Sequence, residues 1–409
     1  MIESVIFFFS GSGMVMLFIL FMRINVVGSK SKLVKHRSKE PGFVDLLIYA
    51  SVVDEGVIVG KDGSLMAAWA YQGVDSNSST EAERDQVSLQ INHALSRMGS
   101  GWMIHIDAVR KPAPGYCAKD DSHFPDPVSA AIDEERREFF ERVGTLYESN
   151  YVITATYLPP LLAQQKFVEL MFDDEGVPVD SKTRTIALLN HFKRECANIE
   201  SHLSSVFRMK RLKGKTITKE DNSSVNYDAF LRWIQFCISG LDHPVILPKN
   251  PIYLDALLSG QEFWGGVVPK IGQNFIQVVS IEGFPLASSP GLINSLADLP
   301  CLYRWSTRFI FMDTHEAVGH LEKFSKKWKQ KIRSFFDQVF NSHSSNVDQN
   351  AINMVSDAQA AIAETNSGEV AQGYYTSVVV LMSESRGDLE ASARQVAKAI
   401  NHLGFAARI

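Results

Sequence analysis

The sequence predicts an α+β protein, with mixed α/β layers and one N-terminal transmembrane helix. Three observations predict this fold: an uncharged apolar run near the N-terminus, stretches of alternating apolar residues, and apolar residues at helical spacing between them. The 409 residues are enough for about two or three domains. Lys and Arg number 41 against 46 Asp and Glu, so the overall charge does not drive the chain toward nucleic acid or anionic lipid.

The first predicted element is a membrane anchor. From Ser4 to Met22 there are 19 uncharged residues, which as a helix would span about 28 Å, close to the thickness of bilayer hydrocarbon. Glu3 precedes this run, whereas Arg23 and five further bases follow it before the next acid, so we expect the N-terminus outside and the rest in the cytoplasm. The prediction is an anchor over 1–22 and a basic tether over 23–42. The alternative is a buried helix of a soluble domain.

Residues 43–160 alternate between strand and helix patterns, which predicts an N-terminal α/β domain. Val57–Val59 and Leu65–Tyr71 flank an Asp62-Gly63 turn, which is typical of a β-hairpin. Thr80 and Glu83 have the spacing of a capping box that opens a helix reaching about Met98. The remaining predictions here are a strand Trp102–Val109, a helix Ile132–Tyr147 and a strand Tyr151–Tyr157.

Residues 161–345 are predicted to be mainly helical, with some strands. Thr185–Phe207 carries apolar residues at helical spacing, and Glu316–Phe340 does so with lysines on its other faces, which predicts a long amphipathic helix with a cationic exterior. Arg208–Lys219 is basic and interrupted by glycine, which predicts a solvated loop. The other predictions are a helix Tyr227–Ser239 and strands Phe275–Ser280 and Phe309–Met312.

Residues 346–409 predict helix, strand, helix and the beginning of a strand. The helices are Val347–Thr365 and Leu389–Leu403, with the strand Tyr374–Met382 between them. Gly404 stands where a helix C-cap is expected, and Phe405–Ile409 then enters a final strand. Because the sequence stops there without a polar tail, we expect a further segment to follow.

The cysteines and the motifs exclude several classes of site. Four scattered cysteines form no CxxC pair, which disfavours a disulfide scaffold and a zinc ribbon and suits a reducing compartment. Gly214-Lys215-Thr216 resembles the end of a phosphate loop, but Met209 stands where the first glycine is required. Asp313 follows an apolar strand, which without a phosphate loop predicts a turn or helix-cap residue.

The last motif, His315-Glu316 followed by His320, resembles the zinc-binding motif HExxH but is one residue longer. The two histidines are five residues apart, which places them about 140° apart around a helix, so they cannot both bind one zinc ion from the same face. The sequence therefore predicts no catalytic, cofactor-binding or metal-binding residue. Two basic segments, Arg208–Lys219 and Lys323–Arg333, could instead contact phosphates on nucleic acid, lipid headgroups or an acidic partner. Neither has exposed aromatic residues interleaved for stacking on bases, so a solvated face is favoured for both.

From about Phe43 onward, the order of segments resembles the N-terminal portion of the CagE/TrbE/VirB family of type IV secretion and conjugal-transfer ATPases. The most distinctive stretch runs from Glu282-Gly283-Phe284-Pro285 to Tyr303–Phe309. The other residues that carry the resemblance are Val44-Asp45-Leu46-Leu47, Tyr49-Ala50, Asp54-Glu55-Gly56-Val57, Lys61-Asp62-Gly63-Ser64, Leu95, Arg97–Trp102, Pro290-Gly291-Leu292, Asp357-Ala358 and Gly373-Tyr374-Tyr375-Thr376.

This resemblance implies a subunit at the bacterial inner membrane, within a secretion or conjugation machine. In the family this half docks onto membrane components and neighbouring subunits, while a second, RecA-like half uses ATP and Mg²⁺, so 346–409 would lead to that absent NTPase domain. We therefore expect a docking and assembly module without ATPase activity of its own, partnered by inner-membrane components and further copies of itself. The alternatives are half of an ATPase completed in trans by a separate motor domain, or a membrane-tethered nucleic-acid adaptor.

Overall fold

The computed structural model describes residues 42–73, 78–159, 181–218, 224–248, 252–285, 289, 291–339 and 349–409. The chain divides into two compact units, Met1–Ile48 and Tyr49–Ile409. The described portion of the first unit contains one short helix, α1 (Phe43–Leu46), in which Asp45 accepts a hydrogen bond from the Gly42 N–H at 2.9 Å.

The second unit is built on one large antiparallel sheet. Its strands are β1 (Tyr49–Asp54), β2 (Val57–Gly60), β3 (Leu65–Gln72), β4 (Trp102–Pro112), β5 (Tyr147–Tyr157), β6 (Arg208–Arg211), β10 (Phe263–Trp264), β11 (Lys270–Ile271), β12 (Asn274–Gly283), β13 (Tyr303–Phe311), β14 (Gly373–Ser383) and β15 (Ala406–Arg408). The strand order is β1-β2-β3-β5-β4-β13-β14-β12-β11-β10, with β15 beside β12 and β6 beside β3. A second sheet has the order β7-β8-β9, from β7 (Gly214–Thr218), β8 (Ser224–Asp228) and β9 (Val245–Leu247).

Helices pack on both faces of the large sheet. They are α2 (Glu81–Leu95), α3 (Pro127–Val143), α4 (Ser181–Leu203), α5 (Ala229–Ser239), α6 (Leu254–Leu258), α7 (Thr314–Val339), α8 (Gln349–Ser367) and α9 (Arg386–His402). Two short 3₁₀ segments span Lys119–Asp121 and Leu292–Asp298.

The hydrophobic core lies on one face of the sheet, in two clusters. In the first, Trp69, Ile104 and Ile153 of the sheet pack with Phe192 and Cys196 of α4. In the second, Val279, Val379 and Leu381 pack with α9. Ile104 of the first cluster is paired with Phe309 of β13, and Val379 of the second cluster is paired with Trp305 of the same strand. Residues 305 and 309 are four apart, so their side chains lie on the same side of β13. Both clusters therefore lie on the same face of the sheet.

Most sequence predictions of individual elements are confirmed. The 57–71 hairpin forms as β2 and β3, with Gly63 at φ +83° and the Asp62 carboxylate accepting the Ser64 N–H at 3.0 Å. Thr80 and Glu83 make both hydrogen bonds of the capping box. The helix expected at Ile132–Tyr147 instead ends at Val143, because Gly144 adopts φ +79° and β5 begins at Tyr147.

One prediction about local structure is wrong. Arg208–Lys219, expected to be a loop, contains β6 and β7. The Leu212 N–H donates to the Ala68 carbonyl at 2.8 Å, and β6 runs antiparallel to the end of β3. The Arg211 guanidinium lies 4.4 Å from the centroid of the Trp69 ring, so a basic residue supplies the packing that an apolar residue normally gives a strand.

The predicted membrane segment falls outside the described residues. Ser4–Met22 and the tether up to residue 41 belong to that stretch of the chain. Within the described ranges, no helix is both long enough and apolar enough to cross a bilayer.

The middle of the chain also holds more strand than was predicted, since eight strands begin between Arg208 and Tyr303. Strands from 43–160, 161–345 and 346–409 share the large sheet, so these three segments do not form separate sheets. The domain boundaries themselves stay predictions.

Candidate functional site

The Gly214-Lys215-Thr216 triplet lies in a strand and not in a loop before a helix. In β7, Gly214 faces Asp228 and Thr216 faces Asn226 across an antiparallel ladder with β8. A phosphate loop needs successive backbone N–H groups turned toward one point ahead of a helix N-terminus. The extended backbone of β7 does not provide that arrangement, so this triplet does not have the geometry of a phosphate loop.

Asp313 follows β13 and has a structural role, as predicted. Its Oδ1 accepts a hydrogen bond from the Ser100 N–H at 2.9 Å. Its backbone carbonyl accepts the Ala317 N–H, also at 2.9 Å, in the first turn of α7. Asp313 therefore joins the turn before β4 to the beginning of α7.

The two histidines of the HExxH-like motif do not converge. His315 and His320 are both exposed on α7, and the His320 ring lies 6.2 Å from the ring of Tyr374. Among the residues that the structure describes, no group of three or more His, Cys, Asp or Glu side chains could hold a metal ion.

The two basic segments differ in how far their charges are already paired. In the first, Arg211 donates to the Gly56 carbonyl at 3.1 Å and Lys213 pairs with Glu55 at 3.3 Å. In the second, Lys323, Lys326 and Lys327 are exposed along α7, although Lys326 lies 3.5 Å from Glu322. Arg208, Lys210 and Lys215 of the first segment are exposed as well, so both segments present cationic surfaces.

A buried ion pair lies on the sheet face opposite the hydrophobic clusters. Arg304 of β13 donates to Asp107 of β4 at 3.0 Å, and Asp107 is only 3% exposed. His105 lies on the same face of β4. Burial lowers the pKa of His105; Asp107 opposes this shift, whereas Arg308 and Arg304 add to it.

A cleft separates α5 from the same sheet face. One cavity of about 540 Å³ lies between α5 and strands β3, β4 and β5, and a second of about 270 Å³ lies at the C-terminal end of α5 beside β4, β13 and β14. Val109, Lys111, Phe236 and Asp242 line both.

Asp242 and two cations form the charged edge of this cleft. The carboxylate of Asp242 accepts hydrogen bonds from Arg232 and from Lys111, the latter at 3.3 Å, and these bonds hold its pKa below the usual range. The cleft therefore combines apolar walls with one edge of paired charges.

Helix α3 belongs to the segment inserted between β4 and β5, residues 113–146, which we call the arm. The arm closes at its base where the Ala113 N–H donates to the Leu146 carbonyl at 2.8 Å. Along α3, Asp133 accepts hydrogen bonds from Tyr116 at 2.6 Å and from Arg137 at 2.7 Å. The polar contacts described for α3 thus lie within the arm itself.

Helix α3 buries two of its charged residues and exposes most of its large apolar ones. Asp133 and Arg137 are 9% and 8% exposed. Its apolar residues on the opposite side are largely exposed; they are Val128 (65%), Ile132 (56%), Phe139 (56%) and Val143 (48%), and we call them the α3 stripe. At about 100° per residue these four fall within about 60° of one another. An apolar stripe of this length is expected to face a partner.

The ion pair, the cleft and the α3 stripe were not predicted from the sequence. The stripe has a signal in the sequence, because its four apolar residues are spaced by four, seven and four. The ion pair has no clear signal in the sequence, because β4 and β13 each carry more than one charged residue and nothing local indicates that the two strands are neighbours.

Comparison with known proteins gives two family matches. Residues 56–165 match the family described as type IV secretion system ATPase VirB4/TrbE, N-terminal domain. Residues 215–409 match the CagE, TrbE, VirB family, component of type IV transporter system. The pairing of β4 with β13 joins these two matched ranges in one sheet.

The chain is also similar to three relatives. It is 43% identical over 376 residues to a conjugal transfer protein TrbE of Rhizobium radiobacter, covering 91% of this chain and 45% of that protein. In Sinorhizobium fredii, a probable conjugal transfer protein TrbE is named as two separate pieces. The chain is 49% identical to the first piece over 125 residues, covering 31% of this chain and 84% of that piece. It is 41% identical to the second piece over 219 residues, covering 53% of this chain and 33% of that piece. The chain thus spans less than half the length of the Rhizobium relative.

Proposed function

Because the chain belongs to the CagE/TrbE/VirB family of type IV transporter components, we propose that it is an inner-membrane docking and assembly module of a conjugative DNA transfer system. It works through surfaces that bind other subunits, and its own residues do not hydrolyse ATP. The observation that carries this proposal is the α3 stripe, because four large apolar side chains face solvent on one helix. Full burial of such a side chain is worth about 1.5–3 kcal/mol, so covering the roughly half of each that is exposed is worth about 1 kcal/mol, which favours association.

The proposed membrane attachment is a single N-terminal anchor over Ser4–Met22, with the rest of the chain in the cytoplasm. It is supported by the uncharged run and by the bases from Arg23 to Lys39. Alkaline carbonate extraction of the membrane fraction distinguishes a spanning anchor from peripheral binding to the membrane. A spanning anchor keeps the chain in the membrane fraction at alkaline pH, whereas release by carbonate would contradict it.

The absence of autonomous ATPase activity is tested with the purified full chain. We expect no ATP hydrolysis above background, and no difference between the chain and its Lys215→Ala variant, since Lys215 lies in β7. Saturable turnover that Lys215→Ala abolishes would overturn this element of the proposal.

The docking role is tested by plasmid transfer from a donor that lacks its own copy. The double variant Ile132→Glu/Phe139→Glu places two charges in the α3 stripe, and we expect transfer to fall at least about tenfold because a covered charge costs several kcal/mol. Leu89→Glu, at an exposed apolar position of α2, is the matched control and is expected to transfer normally. If the unchanged chain, the double variant and Leu89→Glu all supported equal plasmid transfer, a docking role for the stripe would be contradicted.

A second candidate function is half of an ATPase completed in trans by a separate motor domain. The observation that favours it is that the two Sinorhizobium relatives are named as separate pieces of one TrbE protein. A separately purified RecA-like TrbE domain would then hydrolyse ATP faster when this chain is added. No change in its rate at saturating chain would remove this candidate.

A further inference from the structure

We propose that the α3 stripe is covered by helix α7 of a second copy of this chain, so that copies associate head to tail. This inference rests on the proposed docking function and names the partner of its surface. Three observations lead to it: the acidic flank of the stripe, the complementary basic flank of α7, and the positions of the two helices at opposite ends of the central strands.

The α3 stripe has an acidic flank. Going around the helix from the stripe in one direction, the charged side chains are Glu135, Arg142, Glu138, Glu134 and Glu141, four acids and one base, whereas Arg136 lies on the other side of the stripe. Glu135, Glu138 and Glu141 are exposed, whereas Glu134 is half-buried and paired with Lys119 at 3.0 Å. A partner should therefore combine apolar residues with a row of positive charges.

Helix α7 offers that combination on its exposed side. Ala317 and Ser325 form its buried line, but Phe324, which the sequence placed on the apolar face, is 47% exposed. From Phe324 outward the helix presents Lys327 and then Lys323, with Lys326 beyond them, all exposed; Glu316, an acid on the same side, lies about two turns nearer the beginning of the helix. An apolar edge beside a lysine row on α7 matches an apolar stripe beside a glutamate row on α3.

The two helices leave the sheet from opposite ends. The arm that carries α3 begins after Pro112 at the end of β4, whereas α7 begins at Thr314 after the end of β13. These strands are antiparallel, with Arg110 opposite Tyr303 and Met103 opposite Ile310, so the two starting points are about 30 Å apart. A contact between α3 of one copy and α7 of the next therefore joins two different surfaces of the chain, and when it is repeated head to tail from copy to copy it produces a ring or a chain.

Charge also argues against a lipid surface as the occupant. A cytoplasmic leaflet rich in anionic headgroups attracts basic segments, and the glutamates beside the stripe would be repelled by it. A single helix pair of this length buries less than the roughly 1,200–2,000 Å² of a stable interface, so one contact alone is weak. Ring closure and tethering to one membrane would raise the effective concentration of the partner surfaces.

The first experiment is photocrosslinking from the stripe in the full chain. The residue at Phe139 is replaced by a benzophenone amino acid, and two differently tagged copies are expressed together in membranes. We expect a product that carries both tags, with the crosslinked peptide mapping to Lys323–Lys329 of α7. Crosslinks to lipid, to a different protein, or to another region of this chain would each overturn the second-copy proposal.

The second experiment is a charge swap between copies. Glu135→Lys/Glu138→Lys on α3, or Lys323→Glu/Lys327→Glu on α7, should each lower the mixed-tag crosslink at least about tenfold, since like charges across an interface disfavour association. When one copy carries the α3 swap and the other the α7 swap, the crosslink between those two surfaces should return. Failure of the combined swaps to restore it would contradict the pairing.

The two proposals fail in distinguishable ways. If stripe variants abolish plasmid transfer while Phe139 crosslinks only to another protein, the docking function stands and the second-copy inference is wrong. If crosslinking between copies is found but stripe variants transfer normally, the pairing stands and its role in transfer is wrong. Circular dichroism of each variant checks folding, and Leu89→Glu again serves as the control.

Discussion

Removal of Arg304 is the most informative perturbation of the large sheet. Its guanidinium and the carboxylate of Asp107 form the ion pair that links β13 to β4, and both side chains are mostly buried. Arg304→Met keeps a long apolar stem but leaves Asp107 buried without a positive partner. Breaking one side of a buried pair costs about 3–5 kcal/mol, and we expect about 3 kcal/mol because the Arg304 side chain is 20% exposed.

The double variant Asp107→Leu/Arg304→Met separates the cost of an orphaned charge from the value of the pair. Replacement of both partners by apolar groups is often neutral, so we expect the double variant to be more stable than Arg304→Met by about 1–3 kcal/mol. Arg386→Met is the control, since its pair with Glu390 is exposed and should contribute less than about 0.5 kcal/mol.

The measurement is urea unfolding of the full chain, followed by both tryptophan fluorescence and circular dichroism. Coincidence of the two transitions in each variant justifies the comparison of free energies. A loss below about 1 kcal/mol for Arg304→Met, or a double variant that is less stable than the single one, would refute the reasoning.

Three further predictions concern single positions. Gly373→Ala should destabilise the fold by about 1–3 kcal/mol in urea unfolding, because an added Cβ would overlap the Ile310 carbonyl and lie 2.5 Å from the Phe309 ring; a wild-type midpoint would contradict this packing. Thr80→Ala should cost about 1 kcal/mol by loss of the capping box, whereas Thr80→Ser should be near neutral, and equal loss in both would exclude the cap as the cause. His105 has a folded-state pKa below its unfolded value, so it contributes stability above about pH 6.5 that is lost as pH falls, by at most about 1.4 kcal/mol per pH unit. His105→Gln should flatten the dependence of the free energy of unfolding on pH between about 5 and 7, and an unchanged slope would contradict this assignment.

Elements specified by neighbouring residues were predictable. The hairpin at 57–71 depends on the positive φ that Gly63 permits, and the beginning of α2 depends on two side chains three residues apart. The last helix ends as expected, with Gly404 at φ +85°. In these cases the groups that make the hydrogen bonds lie within a few residues, so the pattern contains most of the information.

Elements specified by distant partners were not predictable. Arg208–Arg211 has the composition of a loop, and it becomes β6 because its backbone pairs with β3 and Arg211 packs on Trp69. The position of β13 between β4 and β14 likewise follows from no local signal. Because the ion pair and the α5 cleft depend on this strand order, they could not be predicted either. Helix α3 was predicted, but only the structure shows that Asp133 and Arg137 are buried while the α3 stripe stays exposed.

The amino-acid order alone determined the family resemblance, the alternation of helices and strands, the charge of each segment, and the lack of a complete phosphate-loop motif. These properties depend on which residues the chain contains and on patterns among residues that are close together in the sequence. Only the tertiary structure decided which strands are neighbours, where a charge is buried, and which side of α3 and α7 stays exposed, because these depend on contacts between residues that are far apart in the chain.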